Sequence, residues 1–207
     1  MKRGRGRSGG QNKKNKWDQD HYTQKAKKDN YPARSVYKLQ EIQQKFTLIK
    51  KGDKVLDLGC APGSWLIYAA ETSGPKGSAV GIDLKPVTEG LPSNAKAFEG
   101  DILNLDTSIA EAMGNGFNVV LSDMAPATTG MKDVDAMRSF ELCSMALNVA
   151  LERLNPGGNF ACKIFQGGPF SEFTGLVKTV FNKHKIFKPD SCRKQSREIF
   201  IIGLGKK

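Results

Sequence analysis

Three short apolar runs in this chain each carry an aspartate at their C-terminal end. They are Lys54-Val55-Leu56-Asp57-Leu58, Ser78-Ala79-Val80-Gly81-Ile82-Asp83, and the run over 117–121 that leads into Ser122-Asp123. Runs of this length, rich in Val, Ile and Leu and bounded by turn residues, predict buried strands. Segments with apolar residues at helical spacing lie between them. Strands alternating with helices predict an α/β fold with a mostly parallel sheet covered by helices on both faces. In such sheets a ligand binds in the crevice beyond the carboxyl ends of the strands. One terminal Asp is ordinary turn chemistry. Three at separate strand ends place acidic groups around one crevice.

The remaining elements follow the same logic. Ser35 is the expected N-cap of a helix whose apolar face is Val36, Leu39, Ile42 and Phe46, with a turn at Gly52 after it. Helices are predicted over 65–71, 105–113, 133–154 and 170–182, and further strands over 95–98, 159–165, 185–187 and 198–203. Asn155-Pro156-Gly157-Gly158 reads as a helix stop. At 207 residues and without internal repeats, the chain is expected to form one domain over 31–207.

Charge singles out the remainder. The net charge is +11, and residues 1–30 hold ten Lys/Arg against Asp18, Asp20 and Asp29. A segment so basic and glycine-interrupted predicts an N-terminal arm outside the core, with a nucleic acid as its partner. No apolar run is long enough to cross a membrane, and no secretory signal pattern is present. Cys60, Cys143, Cys162 and Cys192 form no Cys-x-x-Cys pair, so neither a zinc site nor a disulfide framework is expected, and the cytoplasm is the expected compartment. His21 and His184 sit in no motif and read as structural or surface residues. No metal site is expected.

The first strand runs into Asp57-Leu58-Gly59-Cys60-Ala61-Pro62-Gly63-Ser64-Trp65. A dinucleotide site would show Gly-x-Gly-x-x-Gly, and a phosphate loop would end in Gly-Lys-Ser/Thr. Here the spacing is Gly59-x-x-x-Gly63. A glycine turn without a phosphate signature suits a nucleoside ligand that carries no phosphate, such as S-adenosylmethionine. Asp83 is then placed to accept the ribose hydroxyls, Asp101 the adenine amino group, and Asp57 to bind the methionine end or orient the loop.

Asp57 to Trp65, together with Ser122-Asp123-Met124-Ala125-Pro126 and Ser35-Val36-Tyr37-Lys38-Leu39, resembles the FtsJ/RrmJ family of RNA ribose 2′-O-methyltransferases. The resemblance runs from about residue 20 to the C-terminus. It implies a Rossmann-like methyltransferase fold that binds S-adenosylmethionine, with cofactor contacts from Asp57, Gly59, Pro62, Gly63, Trp65, Asp83, Asp101 and Asp123. It also implies a catalytic tetrad, which falls here on Lys38, Asp123, Lys163 and Glu198. Cys60 and Ser64 stand where family members often have Ala and Gly.

The chemistry agrees with that set. A methyl sulfonium is already electrophilic, so an enzyme has to align the attack and take a proton from a very weakly acidic hydroxyl. Lys163 is the expected recipient of that proton's charge, with Asp123 and Lys38 positioning it and Glu198 behind them. The Asn/Asp-Pro-Pro-Tyr/Phe grip of an amino-group methylase is absent, and no cysteine lies near residues 123–126 to act as a cytosine nucleophile. A ribose 2′-hydroxyl exists only in RNA, which agrees with the basic arm. Arg34, Lys27 and Lys28 are the expected RNA contacts, whereas Tyr22 and Tyr31 fit either base stacking or packing. The short chain most resembles family members acting on a uridine of large-subunit ribosomal RNA within the particle, as a monomer. A tRNA anticodon-loop methylase and a non-catalytic ribosome-assembly factor are the alternatives.

Overall fold

The computed structural model describes residues 21–88, 90–102 and 104–207. Residues 21–28 are helical (α1). Val36–Phe46 (α2) leads to Lys54–Leu58 (β1), Ser64–Ser73 (α3), Ser78–Asp83 (β2) and Ala95–Glu99 (β3). Thr107–Met113 (α4), Phe117–Ser122 (β4), Lys132–Arg153 (α5) and Leu154–Phe165 (β5) follow. Phe170–Val180 (α6), Phe181–Phe187 (β6) and Glu198–Lys206 (β7) close the chain.

The seven strands form one sheet in the order β3-β2-β1-β4-β5-β7-β6. β1 to β5 run parallel, and β7 lies antiparallel between β5 and β6. Side chains alternate across the sheet, which sorts them into two cores. Leu56, Leu58, Val120 and Phe160 face α5 and α6, with Phe160 stacked on Phe181 at 5.7 Å. Val55, Val119, Leu121, Phe200 and Ile202 face α2 and α3. The strand order reverses between β1 and β4, where Leu58 pairs with Ser122. The crevice beyond those two strand ends is where such a sheet takes its ligand.

Three local expectations need correction. Ser35 does precede α2, but its hydroxyl makes no cap. Its carbonyl accepts from the Trp65 indole at 2.8 Å instead, so a tertiary bond sets the start of the helix. The 155–158 segment does not separate α5 from β5; α5 passes straight into the strand, and the extra residues are taken up as a bulge where the β4–β5 register shifts between Phe117 and Val119. α4 begins at Thr107 because the Asp106 carboxylate accepts from the Ser108 amide at 2.8 Å.

The expected arm over 1–30 lies outside the described residues as far as residue 20. Its last ten residues belong to the fold. Ala26 is buried against Val36 and Tyr37, Tyr22 packs on Tyr37 at 5.4 Å, and the Tyr37 hydroxyl donates to Asp29 at 2.9 Å. Tyr22 and Ala26 stand four apart on one face of α1. The charged and polar residues around them, Thr23, Gln24, Lys25, Lys27 and Lys28, hide that spacing in the sequence.

Candidate active site

The loop after β1 is shaped by two glycines in the left-handed region, Gly59 at φ 78° and Gly63 at φ 113°. A Cβ on Gly59 would fall 2.5 Å from Met124 Cγ. The loop therefore lies directly against the segment that follows β4, which brings Asp57 and Asp123 to one place. The Asp83 carboxylate braces the far side, accepting from the Ala61 amide and the Lys85 amide, each at 2.9 Å. Each of its oxygens keeps a second lone pair for a ligand hydroxyl. The Asp83 carbonyl accepts from Gly100 at 2.9 Å, which sets Asp101 beside it.

Asp57 is the anomaly of this crevice. It is fully buried, and neither carboxylate oxygen has a hydrogen-bond partner. Burial first, and then the negative charges of Asp123 and Asp83, hold its pKa well above the usual carboxylate range. A buried carboxylate without a partner is costly, and a nearby cation relieves the cost. The site thus offers acceptors for a ribose (Asp83), an acidic group at the adenine end (Asp101) and a field that favours positive charge (Asp57). These residues fit S-adenosylmethionine.

Beyond the loop, four charged side chains from four segments converge. Lys38 comes from α2, Asp123 follows β4, Lys163 comes from β5 and Glu198 begins β7. The Lys163 ammonium lies 2.9 Å from Asp123 Oδ1 and also donates to the Asp123 carbonyl. The Lys38 ammonium donates to Glu198 Oε2 at 2.9 Å and stands 3.7 Å from Asp123 Oδ1. The order is Glu198, Lys38, Asp123, Lys163, with the two lysines on either side of one carboxylate. Burial works against charge on Lys38, but Asp123 and Glu198 outweigh it and raise its pKa. Burial likewise works against the Glu198 carboxylate, and Lys38 and then Lys163 outweigh it and lower its pKa. The structure brings all four predicted residues together.

Other expected contacts are placed differently. Trp65 is 3 % exposed, stacked on Phe200 at 5.8 Å, with its N–H held by Ser35. Its part is to fix α3 against α2 and β7 beneath the tetrad. The Arg34 guanidinium donates to the Ser191 carbonyl at 2.9 Å and lies 5.0 Å over the Tyr22 ring. Lys27 and Lys28 are exposed on α1. Tyr22 and Tyr31 are packing residues here: Tyr22 meets Tyr37, and the Tyr31 hydroxyl bonds Glu71 at 2.6 Å. Cys143 is buried and bonds the Lys163 carbonyl at 3.0 Å, supporting β5 from behind.

Three further residues hold the tetrad, and motif reading does not find them. Cys192 lies beside the Glu198 carboxylate and helps to lower its pKa. Burial first, and then Glu198, push its thiol up to about 12, so it serves as a neutral thiol and not a nucleophile. Glu41 accepts from the amides of Asp190 (2.6 Å) and Ser191 (2.9 Å), clamping the loop before β7 to α2. Asp135 accepts from the Thr129 amide at 2.7 Å and hydroxyl at 2.9 Å and from the Gly130 amide at 3.3 Å, with Arg197 at 3.9 Å. Glu41 lies on α2 three residues beyond Lys38, and Asp135 twelve residues beyond Asp123, but neither belongs to a motif. Cys192 lies close in sequence to Glu198, but nothing in its neighbours announces the contact.

The chain matches the FtsJ-like methyltransferase family model over residues 31–206. It is 66 % identical to a ribosomal RNA large subunit methyltransferase E of Desulforapulum autotrophicum, covering 94 % of this chain and 96 % of that protein. It is 54 % identical to the protein of the same name from Desulfatibacillum aliphaticivorans, covering 94 % and 93 %. A solved ribosomal RNA methyltransferase structure, described as putative, from Plasmodium falciparum superposes with a TM-score of 0.74 at 28 % identity, covering 85 % of this chain and 98 % of that one.

Proposed function

The chain belongs to the FtsJ-like methyltransferase family, and from that premise we propose that it methylates a ribose 2′-hydroxyl of large-subunit ribosomal RNA. The observation that carries the reading is the gathering of Lys38, Asp123, Lys163 and Glu198 beyond the cofactor crevice, with two lysines sharing one carboxylate. S-adenosylmethionine, when bound, supplies a methyl group on a sulfonium. Asp83, Asp101 and the 59–63 loop hold it, and buried Asp57 favours its positive charge.

The tetrad then handles the hydroxyl. Lys163 is anchored twice by Asp123, which fixes its ammonium in position at little entropic cost during reaction. Lys163 receives the hydroxyl proton as the neutral amine, having first released one proton to solvent, and the ammonium so re-formed faces the 2′-oxygen as that oxygen takes the methyl group. Asp123 and Lys38 position Lys163, and Glu198 holds Lys38. No helix among the described residues is long and apolar enough to cross a membrane. We place the protein in the cytoplasm, acting as a monomer on the ribosomal particle. The names of its relatives support that RNA. Arg34, Lys27 and Lys28 contact the RNA near the site. Residues 1–20, with seven Lys/Arg against two Asp, add a sequence-independent attachment.

The test is to incubate purified protein and S-adenosylmethionine with undermethylated large ribosomal subunits, and in parallel with unmodified tRNA. Nucleosides are then analysed by mass spectrometry. A 2′-O-methylnucleoside in the subunits, absent with Lys163→Ala, is the expected result. Methylation confined to tRNA overturns the substrate. None on either RNA, with cofactor binding intact, leaves the scaffold a binding role.

A further inference from the structure

Within residues 31–207 the positive charge is concentrated toward the C-terminus. Residues 178–207 hold nine Lys/Arg against Asp190 and Glu198, whereas residues 31–177 hold thirteen against sixteen acidic residues. Several of the nine have structural work. Lys206 bonds carbonyls at the end of α5, Lys207 those at the end of α6, Lys188 the Ser196 carbonyl, and Arg197 the Lys132 carbonyl. Lys183, Lys185 and Arg193 are exposed and form no ion pair among the described residues.

Geometry lines these groups up. β6 is the outer strand of the sheet. Lys183, Lys185 and Phe187 alternate on one face of it, opposite Leu204, Ile202 and Phe200. That is the face covered by α2, and the Lys45 ammonium at the end of α2 lies 4.4 Å over the Phe187 ring. Lys183, Lys185 and Lys45 therefore form a row. Phe187 pairs with Phe200, two residues from Glu198, and the loop carrying Arg193 connects the two strands. The row starts beside the tetrad and leads away from it along the sheet edge.

Lysines on an outer strand also discourage edge-to-edge pairing. That explanation covers Lys183 and Lys185 but not Lys45, which continues the row off the strand, nor Arg193, which stands exposed in the loop that follows β6. We propose that Lys183, Lys185, Lys45 and Arg193 form a track for the phosphate backbone of the RNA that flanks the target nucleotide. The proposal rests on the RNA substrate assigned above. The track holds RNA by charge, without reading sequence. It gives a small single domain a second grip several residues away from the reacting ribose.

The test compares Lys183→Gln/Lys185→Gln with wild type, using protein-free large-subunit ribosomal RNA and intact undermethylated subunits as probes over a range of salt. Each lost phosphate contact lowers the slope of log affinity against log salt by about 0.7–0.9. The double variant is expected to lower it by about 1.5 on both probes, with cofactor affinity unchanged. Lys76→Gln/Lys96→Gln, the same change of charge around β2 and β3 at the opposite end of the sheet, is expected to lower it by less than about 0.5. An unchanged slope, or an equal fall in the control, overturns the track. A fall on subunits alone assigns the row to an acidic ribosomal protein and overturns the RNA occupant. The nucleoside assay reads catalysis separately: a wild type that methylates no RNA removes the substrate reading, whatever the slopes show.

Discussion

Lys163 is tied to Asp123 through two different oxygens, one of the side chain and one of the main chain. The carbonyl bond fixes where the ammonium sits, and the ion pair with the carboxylate couples it to Lys38 on the other side. A single ion pair would leave the long side chain several rotamers. Two anchors on one residue leave it one position.

That geometry predicts how the variants divide. Lys163→Ala should lower single-turnover methylation by about 10²–10⁴-fold, the range for losing a positioned proton-transfer group. Cofactor affinity should stay within about twofold, because the crevice groups are elsewhere. Asp123→Asn keeps an acceptor near both lysines but removes the charge, so its loss should be smaller than that of Asp123→Ala. Quench-flow methylation beside cofactor titration checks both statements. Near-normal turnover by Lys163→Ala would contradict the assignment.

The Lys38–Glu198 pair gives a pH dependence. Glu198 is depressed below its unfolded value of 4.5, so its contribution to stability is present above that pH and is lost as pH falls through the lower folded value. Lys38 is raised above its unfolded value of 10.5, so its contribution is present below that pH and is lost as pH rises through the higher folded value. The pair therefore supports the fold across the neutral range. Glu198→Gln should cost about 1.5–3 kcal/mol near pH 7, the range for a hydrogen bond between charged groups. The difference from wild type should close in acid, as wild-type Glu198 itself becomes neutral. Urea unfolding at several pH values measures it.

Much of this was legible in the sequence. The strand ends at Asp57, Asp83 and Asp123 fix the crevice because strand periodicity and glycine turns are local properties. The tetrad is legible only through its resemblance to a family, since Lys38 and Glu198, taken alone, look like ordinary surface charges. The burial of Trp65 and the clamp of Glu41 on the 190–191 amides are set by packing between elements far apart in the chain. The same holds for α1, whose Ala26 finds its core only when α2 is in place. No local pattern encodes such contacts.

Asp57 should act against stability and in favour of binding. Its pKa is raised in the fold above the unfolded value of 3.8, so the native state holds the proton more tightly. Stability then falls as pH rises above 3.8, through the window up to the folded value. Asp57→Asn removes that slope. The variant should gain in melting temperature at neutral pH, by about 2–4 °C for each kcal/mol recovered, and the gain should shrink toward pH 4. S-adenosylmethionine should bind more weakly to it, because no carboxyl group is left there to ionise in response to the positive charge of the cofactor. Calorimetry of unfolding and of binding reads the two effects, and a variant that loses both stability and affinity would refute the argument.

Asp135 tests whether the wall of the site matters apart from its floor. Its carboxylate gathers Thr129 and Gly130, the end of the loop that begins with Asp123 and Met124. Those bonds, first the one from the Thr129 amide, lower its pKa, so it is ionised throughout the neutral range. Arg197, the residue before Glu198, stands 3.9 Å from the Asp135 carboxylate and also donates to the Lys132 carbonyl at 2.9 Å. The loop after β4 and the start of β7 are thereby fixed to each other across the tetrad. Asp135→Ala should free the 124–131 loop without touching any reacting group. A displacement of about 1 Å in a reacting geometry costs on the order of 10²-fold. Single-turnover methylation should therefore fall by roughly ten- to a hundredfold, while S-adenosylmethionine binding is kept. Asp135→Glu should recover part of the rate, because a longer carboxylate can still reach the Thr129 amide. A merely structural role would lower melting temperature and leave the rate of the folded fraction unchanged, so the two measurements together decide between them.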